Sequence, residues 1–178
     1  VPNRSYTIRE LMRRTIVYSD NTAAELLARA LPSGFLDRIL RALGIQIRLA
    51  DGNDENLTTP RTYANLFRLL YNASYLTREY SDAALETLTE TEYARGATAK
   101  IPKSVRIAHK FAERTATDPK TGEAILRQLH ECGLVYAEDG KMPYTFCIMT
   151  QGKDFEKLET IQREISASIY ESMANELD

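Results

Sequence analysis

Three adjacent residues, Ser19-Asp20-Asn21, place a hydroxyl, a carboxylate and a carboxamide side by side. Ser, Asp and Asn commonly begin helices, so the tripeptide alone is more typical of a helix cap than of a catalytic site. Its surroundings favour the catalytic interpretation, because apolar residues at helical spacing precede and follow the tripeptide. We therefore expect Ser19 and Asn21 at a corner between two helices, from which both side chains can project into a cleft.

A lysine lies in the middle of a second segment, residues 107–113 (IAHKFAE), whose composition is typical of a strand. A lysine in a strand usually lies on a solvated face or an edge. An edge beside a cleft, however, can also bind an extended substrate. There the ammonium of Lys110 would hold an anionic group and bias the proton affinity of a nearby serine.

The elements that would position these residues are mostly helical up to about residue 100. Apolar spacings of three and four predict helices over about 8–17, 22–31 and 35–43, and two more that begin at Thr59-Pro60 and at Thr77. A capping-box spacing, S/T-x-x-E, opens the first helix at Thr7 and the second at Thr22. Residues 51–56 form a polar loop.

The remainder of the chain is rich in strands. Strands are predicted over 105–112, 129–137 and 144–150, and a final helix from about residue 154. Helices, then strands, then a helix favour an α+β fold, in which an antiparallel sheet is covered by the C-terminal helix. We expect a single domain over 1–178, with 1–100 mainly helical and 101–178 forming the strands and terminal helix.

Composition excludes several classes of protein. The 178 residues contain 23 Lys+Arg against 25 Asp+Glu, and this balance argues against a general polyanion binder. Two cysteines and two histidines at these spacings make no zinc pattern. Cys132 and Cys147 are more typical of two reduced, buried small residues than of a disulfide.

With its flanking order, this set of motifs resembles the superfamily of serine β-lactamases and penicillin-binding proteins, in its class A-like branch. Ser19-Asp20-Asn21 matches the S-D-N box of that superfamily, and Thr59-Pro60 precedes a long helix. Lys110 matches the lysine strand, which a hairpin and a terminal helix follow. The resemblance covers nearly the whole chain.

The resemblance implies acyl transfer through a serine ester, in which the serine of an S-x-x-K motif attacks an amide or β-lactam carbonyl. Ser19 would pass a proton toward the leaving nitrogen, and Asn21 would bind the side-chain amide of the substrate. Lys110 would bind the substrate carboxylate and support Ser19. The backbone N–H of Glu113 would be one oxyanion-hole donor.

The sequence departs from this pattern at the nucleophile, because no serine here is followed three residues later by lysine. The chain also begins with valine. We therefore expect a domain that lacks its N-terminal S-x-x-K segment, a fragment that is inactive alone, and further strands from that missing side.

Two other motifs also differ. The K-T-G box is replaced by Lys110-Phe111-Ala112, which lacks a hydroxyl for the carboxylate and adds a methyl where glycine allows close approach. A literal Lys120-Thr121-Gly122 also occurs, in a polar segment where we interpret it as coincidence.

The Glu and Asn that class A enzymes use to activate the deacylating water have no clear counterpart. Asp51, Asp54 and Glu55 are candidates by position only, and the residue four after Glu55 is Thr59. This segment is more typical of a solvated polar loop than of a catalytic one. Loss of that base would leave an acyl-enzyme that is slow to deacylate.

Three functions follow: a class A-like β-lactamase-related hydrolase, a cell-wall D,D-peptidase that binds penicillin, or a non-catalytic module on the same fold. The expected partners are a small β-lactam or a peptidoglycan stem peptide, and the missing N-terminal segment. No nucleic-acid partner is expected, and the resemblance implies no metal and no organic cofactor. The resemblance implies a location outside the cytoplasm.

Overall fold

The computed structural model of the chain describes residues 4–45, 48–49, 56–136 and 143–175. Within them six helices and five strands follow in chain order: α1 Ile8–Val17, α2 Asn21–Ala30, α3 Phe35–Ala42, β1 Arg48–Leu49, β2 Asn56–Leu57, α4 Pro60–Tyr71, α5 Arg78–Thr89, β3 Ile107–Thr117, β4 Ala124–Val135, β5 Tyr144–Gly152 and α6 Phe155–Asn175. This arrangement confirms the predicted α+β fold. None of the helices in these ranges is long and apolar enough to cross a membrane.

Local sequence signals determine where most of the helices begin. Thr7 caps α1 in a capping box with Glu10, Thr59 caps α4 ahead of a proline, and Thr77 caps α5. The second helix differs from the prediction, because Asp20 rather than Thr22 is its N-cap and its side chain accepts from the Ala23 N–H. The Ser19-Asp20-Asn21 tripeptide therefore contains a candidate catalytic serine, the N-cap of α2 and its first residue.

The described part of the chain contains an antiparallel sheet with the order β3-β4-β5. Lys110 lies opposite Cys132, which in turn lies opposite Cys147. Strands β3 and β4 extend well beyond the predicted segments and meet at a turn that contains Lys120-Thr121-Gly122. This motif therefore lies at the far end of the β3–β4 hairpin, seven or more residues beyond Lys110 along the chain.

Residues that alternate along the strands form hydrophobic cores on both faces of the sheet. On one face Phe67 of α4 and Leu85 of α5 pack with Cys132 and Leu134. On the other face Leu129 clusters with Leu158 of α6 and with Tyr93. The sheet is thus covered on both sides, and Lys110 belongs to the face on which α4 and α5 pack.

The structure joins Cys132 and Cys147 in a disulfide, so the expectation of two reduced cysteines was wrong. The two residues are paired directly across β4 and β5, with their Cα atoms 3.9 Å apart. The β-strand register, which the sequence left open, placed them on the same face. The disulfide therefore links the two strands beside the site lysine.

Candidate active site

A sharp corner between α1 and α2 positions Ser19. Its backbone φ is 54°, in the left-handed region that a serine seldom adopts. Helix ends commonly use glycine at this conformation, and a non-glycine residue there indicates a local constraint. The Asp20 N–H reaches back to the Arg14 carbonyl at 3.2 Å, which closes the corner.

Asp20 holds this corner electrostatically. Its carboxylate accepts from the Ala23 N–H at 3.0 Å and pairs with Arg14 at 2.8 Å. The backbone hydrogen bond and the arginine together hold the pKa of the Asp20 carboxyl below its usual range. Asp20 therefore has a structural role at this corner.

The lysine of β3 meets the serine of the helical corner, although 91 residues separate them. Lys110 Nζ donates to Ser19 Oγ at 2.7 Å and to the Phe111 carbonyl oxygen at 2.6 Å. The same ammonium lies 4.6 Å from the centroid of the Phe111 ring. Burial lowers the pKa of Lys110 to about 8, so its side chain is mostly protonated and charged at neutral pH.

A cavity of about 70 Å³ adjoins this contact. It is lined by residues of the lysine strand, its neighbours and the loop and helix after β2: Thr58, Tyr63, Lys110, Phe111, Ala112, His130, Cys132 and Met149. Burial raises the pKa of the Tyr63 phenol and lowers that of His130. The cavity thus combines one cation with mostly apolar walls.

The other predicted site residues lie at different places around this contact. Phe111 and Ala112 line the cavity beside Lys110. Asn21 is the exposed first residue of α2, next to the corner, and does not line the cavity. Glu113 is exposed farther along β3 and pairs with Arg95 at 3.5 Å. Asp51, Asp54 and Glu55 lie outside the described residues.

Phe111 has a structural partner that explains its size. Its ring stacks on Tyr93, with centroids 4.2 Å apart and planes at 13°. Tyr93 belongs to the segment between α5 and β3 and was not singled out in the sequence. Phe111, which stands where a K-T-G box has threonine, is therefore part of a packed aromatic pair.

Sequence reasoning also missed Tyr63 and His130. Tyr63 is the fourth residue of α4, so the Thr59-Pro60 signal could have located it. His130 lies opposite Ala112 in the hairpin. Only the register of β3 against β4 brings it to the lysine cavity, and the sequence did not determine that register.

Comparison with known proteins identifies the family. A model of the β-lactamase enzyme family matches residues 1–173, and the chain belongs to that family. No curated protein matches the chain in sequence.

Solved structures of similar fold include two β-lactamases and a penicillin-binding protein. The TLA-3 extended-spectrum β-lactamase has a TM-score of 0.81 at 20% identity, over 96% of this chain and 66% of that one. A class A β-lactamase from Bacteroides cellulosilyticus DSM 14838 has a TM-score of 0.77 at 21% identity, over 98% and 67%. A PBP-A variant, in an acyl-enzyme complex with penicillin G, has a TM-score of 0.76 at 22% identity, over 98% and 64%. The chain thus spans about two thirds of the length of these proteins.

Proposed function

We propose that this chain is the major part of a serine hydrolase that acts on β-lactams or related amides through a serine ester. The observation that carries the proposal is the 2.7 Å hydrogen bond from Lys110 Nζ to Ser19 Oγ. It joins the two strongest motifs of the sequence, and Lys110 also lines the cavity. Membership of the β-lactamase family supports the same chemistry.

The direction of this hydrogen bond gives Ser19 its proposed role. Because the lysine donates to Oγ, the serine O–H is free to donate elsewhere, toward the nitrogen of a scissile bond. In the proposed reaction a serine oxygen bonds to the carbonyl carbon, the C–N bond breaks, and the proton of the attacking hydroxyl reaches the nitrogen through Ser19. The positive charge of Lys110 stabilises Ser19 as its proton leaves.

The remaining site residues would bind the substrate. Lys110 would attract a carboxylate, and Phe111 and Ala112 would form the apolar wall beside it. Asn21 would hydrogen-bond an amide of the substrate, and the backbone N–H of Glu113 would donate to the carbonyl oxygen. The assignments of Lys110, Asn21 and Glu113 follow the family pattern at matching positions.

The attacking serine is proposed to lie in a segment outside the 178 residues, since no S-x-x-K occurs within them. Strand β5 supports this, because within the described residues it pairs only with β4 and its other edge is available to further strands. The 178-residue chain alone would then bind but not turn over substrate.

A penicillin-binding D,D-peptidase is the second candidate, and its substrate would be a peptidoglycan stem peptide. The similarity to PBP-A, described with penicillin G as an acyl-enzyme, favours it, as does the absence of a Glu followed four residues later by Asn in the 51–59 segment. Either enzyme would act outside the cytoplasm. The Cys132–Cys147 disulfide supports this location, since disulfides persist in oxidising compartments.

Two substrates distinguish the candidates. The full-length protein would be incubated with a chromogenic cephalosporin and, separately, with a fluorescent penicillin. Rapid cephalosporin turnover identifies a β-lactamase, and a stable fluorescent adduct with little turnover identifies the peptidase. The absence of both turnover and adduct would refute both proposals and leave a non-catalytic module.

A further inference from the structure

The segment that joins α5 to β3 follows the lysine strand along the face opposite to Lys110. Its alternate residues contact alternate residues of β3. The Thr91 hydroxyl donates to the His109 carbonyl oxygen at 2.8 Å, and Tyr93 stacks on Phe111. Arg95 pairs with Glu113 at 3.5 Å. Every second residue of β3 around Lys110 is therefore held by residues 91–97, which we call the strap.

A buried carboxylate fixes the end of the strap. Glu131 of β4 is fully buried, and its Oε2 accepts from the Ala97 N–H at 2.6 Å. Its Oε1 lies 2.8 Å from Nδ1 of His109, which is itself 5% exposed. A buried carboxylate without partners would cost several kcal/mol, so these two contacts are strongly favoured over any arrangement that breaks them.

Close packing at Gly96 keeps the strap against this carboxylate. A Cβ atom there would overlap Glu131 Oε2 and press on Tyr93. The strap is also attached to α6, because the Tyr93 hydroxyl donates to Glu159 at 3.2 Å and Arg95 pairs with the same carboxylate at 3.2 Å. The strap is thus anchored to both the sheet and the terminal helix.

We propose that residues 91–97 position Lys110 from behind the sheet, and that Glu131 is the residue that anchors them. Successive side chains of a strand point to opposite faces, so fixing residues 109, 111 and 113 on one face sets where residue 110 points on the other. The Lys110–Ser19 contact then depends on groups that touch neither residue. This inference rests on the proposed function only in taking Lys110 as the lysine of the site.

The test measures the environment of Lys110 directly. Competitive acetylation of the full-length protein across a pH series, read by peptide mass spectrometry, gives the pKa and the reactivity of each lysine. Thr91→Val removes the hydroxyl that holds His109, and Gly96→Ala displaces the strap from Glu131. In both variants a looser β3 admits water to Lys110, and its pKa should rise from about 8 toward the ordinary 10.5.

A matched control is available two residues away. The Thr89 hydroxyl donates to the Glu86 carbonyl oxygen at 2.7 Å at the end of α5, so Thr89→Val makes the same chemical change without touching β3. It should leave the titration of Lys110 as in the unmodified protein.

Either outcome decides the inference. A Lys110 titration that is unchanged in Thr91→Val and in folded Gly96→Ala, or that moves equally in the control, would overturn it. If Gly96→Ala does not fold, Thr91→Val decides alone. No β-lactam enters this measurement, so failure of the proposed function would appear in the penicillin experiment and not here.

Discussion

At the scale of single residues, the central fact is that one cation serves two acceptors. Lys110 donates both to Ser19 Oγ and to the carbonyl of its own neighbour. Both residues could be selected from the sequence, since the S-D-N tripeptide and the strand lysine each match a motif of the superfamily. Their contact could not be predicted, because it depends on how a helical corner packs on a strand 91 residues later.

Replacing this lysine should weaken acylation. In Lys110→Ala the loss of charge-assisted hydrogen bonds, worth about 1.5–3 kcal/mol, corresponds to a fall of about 10-fold to 100-fold in the second-order rate constant with penicillin. Stopped-flow measurement on the full-length protein provides the check. Lys103→Ala, at an exposed position, is the control and should react normally. Equal rates in both variants would show that Lys110 is not the site lysine.

The same lysine predicts a pH dependence. Burial lowers its pKa to about 8, so its charge is lost as the pH rises through that value. If Lys110 acts as a cation that binds carboxylate, acylation by penicillin should decline above pH 8. Lys110→Arg keeps its charge throughout and should flatten the decline. An acylation rate that rises through pH 8 would instead indicate that neutral Lys110 acts as a base.

At the scale of elements, the hairpin β3–β4 and its neighbour β5 show where sequence patterns suffice. The apolar inner ends of all three strands were predicted. The outer part of β3, with exposed residues at 113–115, was not, because its side chains carry no inward pattern. The register also lay beyond the sequence, and it decides both the disulfide and the position of His130.

The disulfide gives a prediction for these elements. Closing a loop with a sequence separation of 15 residues should stabilise the fold by about 2–4 kcal/mol. Urea unfolding with and without reductant measures this difference. A double variant, Cys132→Ala with Cys147→Ala, should be insensitive to reductant. Two reactive thiols in denatured, unreduced protein would contradict the pairing.

At the scale of the whole molecule, helices α4 and α5 and the sheet contribute to the same hydrophobic core. Phe67 of α4 is 3% exposed and packs with Leu134 of the sheet and Leu85 of α5. The division into a helical part and a strand part describes the order of the chain. We expect the two parts to unfold together, as one domain, because neither can separate without exposing this core.

A pair of phenylalanine variants tests that expectation. Phe67→Ala should lower the free energy of unfolding by about 3–5 kcal/mol. Phe35→Ala, at a residue 37% exposed, should cost far less. Far-UV circular dichroism and tyrosine fluorescence should give coincident transitions. Separate transitions for the two signals would show that the helical and strand parts are independent.

The central claim is that Ser19 takes part in acyl transfer without being the acylated residue. The most direct test is mass spectrometry of the full-length protein during incubation with penicillin G, compared with Ser19→Ala and with the exposed control Ser33→Ala. The account predicts that one penicillin is added to each protein, on a serine outside the 178 residues. It also predicts that the adduct forms at least about 10-fold more slowly in Ser19→Ala alone. No adduct in the unmodified protein, or equal rates in both variants, would contradict it.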